Sequence, residues 1–210
     1  MMGGITGATS GKFVLMAATL LFHGRVDNAR SMIVIVPGAP HSAISEALAK
    51  RVRRGTPVKI GIRAEYLRAS IAWVESDPGQ GADVRIGQDI LATNPIEIDF
   101  THHQLRLLLA GDARRAERGM TAIPVTHEAN GMMTVPIKID DAAPTAALLD
   151  LTHPTGVVAP VVSAKSVAIG SVALNAASVS AGASPSVGLG AFVKTRVIFD
   201  LGHDRIWVAM

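Results

Sequence analysis

The 210-residue sequence contains no cysteine, and only 4% of its residues are aromatic. Without thiols the chain forms neither disulfides nor thiolate metal sites, and thiol catalysis is excluded. Because large rings are scarce, we expect a core built from Ala, Val, Ile and Leu. Hydrophobic residues make up 49% of the chain, which is ample for globular packing.

The chain also has little excess of one sign of charge over the other. The chain has 20 Lys and Arg residues against 17 Asp and Glu residues, a net charge of +3. So small an excess, spread along the chain, does not indicate nucleic acid as a partner.

No H-x-x-x-H or H-E-x-x-H spacing is present, so the sequence predicts neither a metal nor a cofactor.

The chain has no apolar run long enough to span a bilayer in its N-terminal region. The run from Phe13 to Phe22 has ten residues, about half of what a spanning helix needs. Lys12 is the only early positive charge, and no small-x-small cleavage motif follows in residues 23–27. We expect a buried strand in a soluble protein, with a signal peptide or anchor as the alternative. The compartment is not indicated.

The sequence repeats itself at a fixed offset of 101 residues, so that Asp99 matches Asp200. The recurring segments are 86–87 with 187–188 and 98–107 with 199–208. A fixed offset indicates two copies of one supersecondary unit. A charged stretch with almost no apolar residues separates the copies, as is typical of a linker between domains.

These features predict three segments. The N-terminal lobe is expected over 12–109, the charged linker over 110–119 and the C-terminal lobe over 120–210. Turn chemistry predicts mostly strands within each lobe. The expected elements are apolar strands over 12–22 and 31–36 joined by a polar loop at 23–28, a hairpin of 58–62 and 67–74, a hairpin over 96–109, a second-lobe hairpin within 165–181, and short helices over 47–52 and 88–93.

Each copy also has an apolar strand that runs into a tight turn. The two turns are Val36-Pro37-Gly38-Ala39 and Asp150-Leu151-Thr152-His153. Together with the helix, the hairpins and the apolar-apolar-Gly segments at 84–87 and 187–190, this order resembles the lobe pattern of aspartic proteases of the retropepsin and pepsin type. Residues 36–45 resemble the D-T-G-A-x-x-S-x-I-S motif, with Val36 in the place of the Asp and Pro37 in the place of the Thr.

The resemblance implies an all-β, two-lobed, acid-protease-like fold with pseudo-two-fold related lobes and a cleft between them. Asp150 stands where the family has a catalytic Asp, and Val36 stands where the partner Asp is lost. The resemblance also implies that the loop residues line the cleft, and that a flap hairpin carries Tyr66. The loop residues are Pro37, Gly38, Ala39, Leu151, Thr152 and His153, and His41 follows the first loop.

Two carboxylates held together share a proton, so one activates water while the other donates to the substrate carbonyl. Val36 can do neither. The leading hypothesis is therefore an aspartic-protease-like protein, catalytically impaired or inactive, whose cleft binds extended peptide or protein segments. One alternative is an active aspartic endopeptidase with an atypical dyad centred on Asp150, with Asp83 or Asp89 as the second carboxylate. The other is a structural or oligomerisation module.

The remaining polar residues have simpler interpretations. His102, His103 and His203 fall in equivalent hairpin turns and are expected to be polar turn residues. Ser42, His153 and Asp150 could form a nucleophilic triad, but nothing in their spacing requires it. The matched Asp99 and Asp200 are expected to bind backbone or a nearby base for structural reasons, as the resemblance implies.

Overall fold

The computed structural model describes residues 11–12, 14–16, 19–27, 29–52, 57–62, 65–108, 110–129, 132–152, 154–161, 163–174 and 177–209. Its architecture is all-β and two-lobed, with few helices. The strands of the first half are β1 (Gly11–Lys12), β2 (Val14–Met16), β3 (Thr19–Val26), β4 (Ala29–Ile35), β5 (Ala43–Ser45), β6 (Val58–Ile62), β7 (Glu65–Ala69), β8 (Trp73–Glu75), β9 (Val84–Ile86), β10 (Ile96–Asp99) and β11 (Gln104–Leu107).

The second half contributes eleven more strands. They are β12 (Met120–Pro124), β13 (Thr126–His127), β14 (Met133–Ile139), β15 (Thr145–Asp150), β16 (Val157–Ala159), β17 (Val167–Ile169), β18 (Val172–Ala173), β19 (Val179–Ala181), β20 (Ser186–Gly188), β21 (Arg196–Asp200) and β22 (Arg205–Ala209). The helical elements are α1 (Glu46–Ala49), α2 (Gln88–Leu91), α3 (Ala110–Ala116) and two 3-10 turns, Leu189–Phe192 and Leu201–His203.

Each lobe is built on one eight-stranded sheet, and the two sheets have the same strand order. The first runs β7-β6-β3-β4-β9-β5-β8, with β2 added at β3, and the second runs β18-β17-β14-β15-β20-β16-β19, with β13 added at β14. The parallel pairs also match, since β4–β9 and β5–β8 correspond to β15–β20 and β16–β19. The second lobe therefore repeats the first strand for strand.

A third sheet joins the two halves. Its six strands run β1-β11-β10-β21-β22-β12, with β10 and β21 antiparallel at the centre. Glu97 pairs with Ile198 in this register, and these two residues are also equivalent under the 101-residue offset of the sequence repeat. The pseudo-two-fold axis that relates the lobes therefore passes through the Glu97–Ile198 pair.

The larger of two apolar clusters among the described residues extends through both lobes and consists mainly of Ile, Leu and Val, as the composition predicts. Phe192 and Phe199 are both fully buried and meet edge to face, with ring centroids 5.7 Å apart. Helix α3 lies within the segment predicted as a charged linker, and it packs Ala116 against Leu108 and Ile198. None of the helices in the described ranges is long and apolar enough to cross a membrane.

The first hairpin forms where the sequence predicts it, but the predicted polar loop over 23–28 is wrong. β3 continues to Val26, and His23, Gly24 and Arg25 pair with residues of β4. Gly24 fits this position because a β-carbon on it would lie 2.6 Å from the carbonyl oxygen of Gly61 in β6. Pairing on both sides of β3 thus outweighs the polar character of the segment.

Two other boundaries differ from expectation. The helix predicted over 47–52 is the single turn α1, where the Ser45 hydroxyl caps the backbone N–H of Leu48 at 3.2 Å. The run predicted as one strand over 67–74 is divided between β7 and β8. β8 leaves the hairpin and pairs in parallel with β5.

Candidate functional site

Val36 and Asp150 lie at the ends of equivalent central strands. Val36 directly follows β4, and its backbone N–H donates to the carbonyl of Ile86 at 3.0 Å. Asp150 is the last residue of β15 and pairs with Gly188 of the parallel strand β20. The two residues therefore hold the same position in the two lobes.

The turns that follow these strands are in contact with each other. A β-carbon built on Gly38 would lie 2.8 Å from the backbone nitrogen of Thr152 and 3.1 Å from the carbonyl carbon of Leu151. Only a residue without a side chain fits such an approach. Pro37 and Leu151 are buried beside this contact. The fold therefore brings the loop after Val36 and the loop of Asp150 together across the lobe boundary.

The carboxylate of Asp150 is oriented by its own turn. Its Oδ1 atom accepts hydrogen bonds from the backbone N–H of Thr152 at 3.1 Å and from the Thr152 hydroxyl at 2.5 Å. Asp150 is half-buried, whereas Thr152 is exposed. Thr152 thus contributes two donors to the carboxylate while its backbone contacts Gly38.

The buried side chain of Ser42 holds the first loop through hydrogen bonds. Its hydroxyl donates to Asp89 Oδ1 at 2.5 Å and accepts from the backbone N–H of Gly87 at 2.9 Å. The backbone N–H of Ser42 also reaches both carboxylate oxygens of Asp89 at 3.0 Å. A hydroxyl that is fully buried and donated to Asp89 is not available as a nucleophile. His153, the proposed base of a Ser42 triad, lies outside the described residues.

Asp83 and Asp89, the carboxylates weighed as substitutes for the missing Asp, both bind groups of the first lobe. Asp83 Oδ2 accepts from the backbone N–H of Met32 at 2.9 Å, four residues before Val36 on β4. Asp89 caps Ser42 and also accepts from the backbone N–H of Ile90 at 2.9 Å. Both carboxylates therefore stabilise strand and loop geometry in their own lobe.

The matched aspartates of the final hairpins have the structural role that was expected of them. Asp99 accepts from the backbone N–H of His102 at 3.0 Å and lies 2.8 Å from its Nδ1. Asp200 lies 2.7 Å from Nδ1 of His203 and accepts from Arg205 at 3.2 Å. Each aspartate thus binds a base in its own turn.

Partial burial raises the pKa of Asp99, but hydrogen bonds from His102 and the charges of His102 and Arg196 outweigh it and leave the pKa below its usual value. Asp99 therefore stays ionised in mildly acidic solution. Within the described ranges, no group of three or more His, Asp or Glu side chains is arranged to hold a metal ion.

The hairpin expected to form a flap consists of β6 and β7. Its register places Tyr66 opposite Gly61, and Gly61 pairs with Arg25 of β3. The side chain of Tyr66 and the turn residues at 63 and 64 lie outside the described residues.

An exposed aromatic stack next to the first loop was not predicted from the sequence. The rings of His41 and Trp73 are stacked with centroids 4.8 Å apart. Trp73 and Val74 are 52% and 49% exposed, and both lie on β8, the edge strand of the first sheet. A Trp-Val pair in a short strand was the available signal, but the stack depends on pairing between β5 and β8.

An ion pair fixes the position of β8 relative to the first loop. Arg85 binds both carboxylate oxygens of Glu75 at 2.8 and 2.6 Å, and it also donates to the carbonyl of His41 at 3.2 Å. A bidentate pair of this kind fixes orientation as well as distance. β8 is therefore tied to the segment that follows Pro37 and Gly38.

A buried charged cluster occupies the pseudo-two-fold axis, and it too was not predicted. Glu97 is only 4% exposed. Its Oε2 atom accepts from Nε and a terminal nitrogen of Arg106, and its Oε1 atom lies 3.3 Å from Arg196. In the second copy, Ile198 and Trp207 hold the positions of Glu97 and Arg106. The duplicated sheet thus has an ionic pair on one side of the axis and an apolar pair on the other.

No protein-family model and no curated protein matches the sequence. Among solved structures, the chain is similar to conglutin gamma, a basic 7S globulin from lupine seeds, with a TM-score of 0.53 and 8% identity over 95% of this chain and 93% of that one. It is also similar to the basic 7S globulin from soybean, with a TM-score of 0.54, 8% identity and the same coverage. These globulins have a pepsin-like fold. At such low identity the likeness establishes the two-lobed, pepsin-like fold alone.

Proposed function

We propose that the chain is an aspartic-protease-like protein with a degenerate active site, which binds extended peptide or protein segments between its lobes and does not hydrolyse them. The observation that carries the proposal is the pair of matched strand ends. One ends in the carboxylate of Asp150, and the other leads into the aliphatic side chain of Val36.

Peptide hydrolysis by this fold needs a general base and a general acid at once. Two neighbouring carboxylates supply both, because one keeps a proton while the other is ionised. An isopropyl group at Val36 can neither accept nor donate a proton. The buried, apolar Pro37 and Leu151 also lack the hydroxyls that the family motif has next to its aspartates. Both loops therefore lack groups that the family motif has, a carboxylate and a hydroxyl in the first loop and a hydroxyl in the second.

Peptide binding is supported by the edge strand β8. An edge strand presents unpaired backbone groups, and an extended peptide can add to it as a further strand. The exposed Trp73 and Val74 provide apolar contact area there, and the stack of Trp73 on His41 connects this edge with the loop after Val36. Proteins commonly protect such edges with lysine or proline, but Trp73-Val74-Glu75 contains neither.

The test uses fluorescein-labelled, unstructured decapeptides that alternate apolar and polar residues. We expect fluorescence anisotropy to report saturable binding, and mass spectrometry to detect no cleavage products. Val74→Lys places a charge on the exposed edge, so it is expected to weaken binding about tenfold. Val193→Lys is the matched control, because Val193 is also exposed but lies in the second lobe.

Two outcomes would contradict the proposal. If none of the decapeptides binds saturably, the result would favour a structural or oligomerisation module. Cleavage of the peptides by the wild-type protein would favour an endopeptidase with an atypical dyad.

A further inference from the structure

A pocket of about 720 Å³ lies away from the two loops that contain Val36 and Asp150. It is half open to solvent and is bordered by the turn after β10, the hairpin of β17 and β18, the segment between the 3-10 turn at 189–192 and β21, and the end of β22. Small-molecule sites in proteins are about 300 to 1,000 Å³ in volume. The pocket is thus large enough for a small organic ligand.

The wall of the pocket has an apolar part and a cationic part. Ala173, which is exposed, and Leu174, which is 9% exposed, provide the apolar part, whereas Val172 and Val208 border the pocket but are almost fully buried. Lys194 and Arg196 provide the cationic part. A ligand that satisfies both parts must combine an apolar body with an anionic group.

Neither cation is fully neutralised by the protein. Lys194 is exposed, and none of the described residues forms an ion pair with it. Arg196 shares the carboxylate of Glu97 with Arg106 and also lies close enough to Asp99 to lower its pKa. Three cations, Arg106, Arg196 and Lys194, thus face two carboxylates. Positive charge therefore remains at this end of the pocket.

One carboxylate, that of Asp99, also lines the pocket. Both of its oxygens are bound by His102, one by the backbone N–H at 3.0 Å and one by the ring at 2.8 Å. With Arg106, Arg196 and Lys194 set against Glu97 and Asp99, one positive charge is in excess, so the wall favours a ligand with a single negative charge.

The cations are not a by-product of the duplicated fold. Under the 101-residue offset, Lys194 corresponds to Thr93 and Arg196 corresponds to Pro95. The first half therefore has neither positive charge at the matched place.

The matched turn of the other half is also packed differently. A β-carbon on Gly202 would lie 2.8 Å from the carbonyl carbon of Ala92, so this turn lies directly against the end of α2. Its equivalent in the first half is Thr101, whose side chain prevents an equally close approach to the corresponding 3-10 turn. Thr101 lines the pocket. The space and the cations that border it thus occur together, on one side of the pseudo-two-fold axis.

We infer that this pocket binds a small organic monocarboxylate with an apolar body. Lys194 and Arg196 hold the carboxylate, and Ala173 and Leu174 contact the hydrocarbon part. Charge-assisted hydrogen bonds to the carboxylate supply orientation, and burial of the hydrocarbon supplies affinity. The site and its ligand are independent of peptide binding between the lobes.

Octanoate is the probe, and isothermal titration calorimetry of the full chain measures its binding. We expect saturable binding with one site per chain. Lys194→Gln is expected to weaken it about tenfold, because it removes one charge-assisted hydrogen bond. Lys165→Gln, at an exposed lysine outside the pocket, is the matched control and is expected to bind octanoate as the wild type does. Octan-1-ol has the same chain without the charge and is expected to bind about tenfold more weakly than octanoate.

A second variant tests the location. Ala173 is an exposed lining residue, so Ala173→Trp fills the pocket without disturbing the core and is expected to abolish octanoate binding. The inference is overturned if octanoate shows no saturable binding. It is equally overturned if octan-1-ol binds as tightly as octanoate, if Lys194→Gln and Lys165→Gln bind alike, or if Ala173→Trp binds as the wild type does.

Discussion

Arg106→Leu is expected to lower the free energy of unfolding by about 3 kcal/mol, because it leaves the buried carboxylate of Glu97 with only the more distant Arg196 as a partner. This value is at the low end of the stability loss expected when one partner of a buried ion pair is removed, since Arg106 is partly exposed and Arg196 remains 3.3 Å from Glu97. Urea unfolding with linear extrapolation measures the change.

The control is a double variant that copies the apolar pair found in the second copy of the repeat. The second copy has Ile198 where the first has Glu97, so Glu97→Ile combined with Arg106→Leu recreates an apolar cross-strand pair. We expect this double variant to recover most of the lost stability, since a well-packed apolar pair often replaces a buried ion pair at no net cost. Arg68→Leu, at an exposed arginine on β7, is expected to change stability by less than about 0.5 kcal/mol. A double variant as unstable as the sum of the single ones would contradict this account of the axis.

Gly38→Ala is expected to destabilise the protein by about 2 kcal/mol, because its β-carbon would overlap the turn of the other lobe. The nearest fixed atom is the backbone nitrogen of Thr152 at 2.8 Å. Gly38 has no left-handed backbone conformation to lose, so lack of space is the only cause of the expected effect. The same variant is expected to weaken decapeptide binding, because the two loops would have to separate.

A double-mutant cycle with Thr152→Ala isolates this contact. Thr152→Ala removes the methyl group that approaches Gly38 most closely, so Gly38→Ala is expected to cost less in that background. The part of the cost that comes from the backbone of Thr152 and Leu151 is expected to remain. Equal costs in both backgrounds, or a cost of Gly38→Ala near zero, would mean that the loops do not meet as described.

The duplication is the feature that made the fold predictable from the sequence. The 101-residue offset that matches Asp99 with Asp200 is the same offset that relates Glu97 to its partner Ile198 in the central sheet. The apolar-apolar-Gly segments also lie beside the strands that end at Ile35, just before Val36, and at Asp150. Short-range patterns sufficed here because each unit folds in the same way and the two pack around one axis.

The local errors came from segments whose partners are distant in sequence. Gly24 and Arg25 read as a polar loop, yet they pair with β4 on one side and β6 on the other. The run over 67–74 read as a single strand, yet its last residues pair with β5, 30 positions earlier. In both cases a long-range partner overrides the local preference.

The charged cluster at the pseudo-two-fold axis could not be predicted either, because one of its members is distant in sequence. Glu97 and Arg106 pair across one hairpin, which lies within the hairpin predicted over 96–109. Arg196 joins them from the other copy, 99 positions away. The pocket beside Lys194 likewise needs four segments that only the tertiary structure brings together.

The central claim is that the Val36–Asp150 site does not hydrolyse peptides, and cleavage of an unstructured protein at acidic pH tests it most directly. Acidic solution is the relevant condition, because a carboxylate pair acts with one proton shared between its members. We expect purified wild-type protein and Asp150→Ala, prepared in parallel, both to give the background rate of cleavage. Cleavage by the wild type that disappears in Asp150→Ala would contradict the claim.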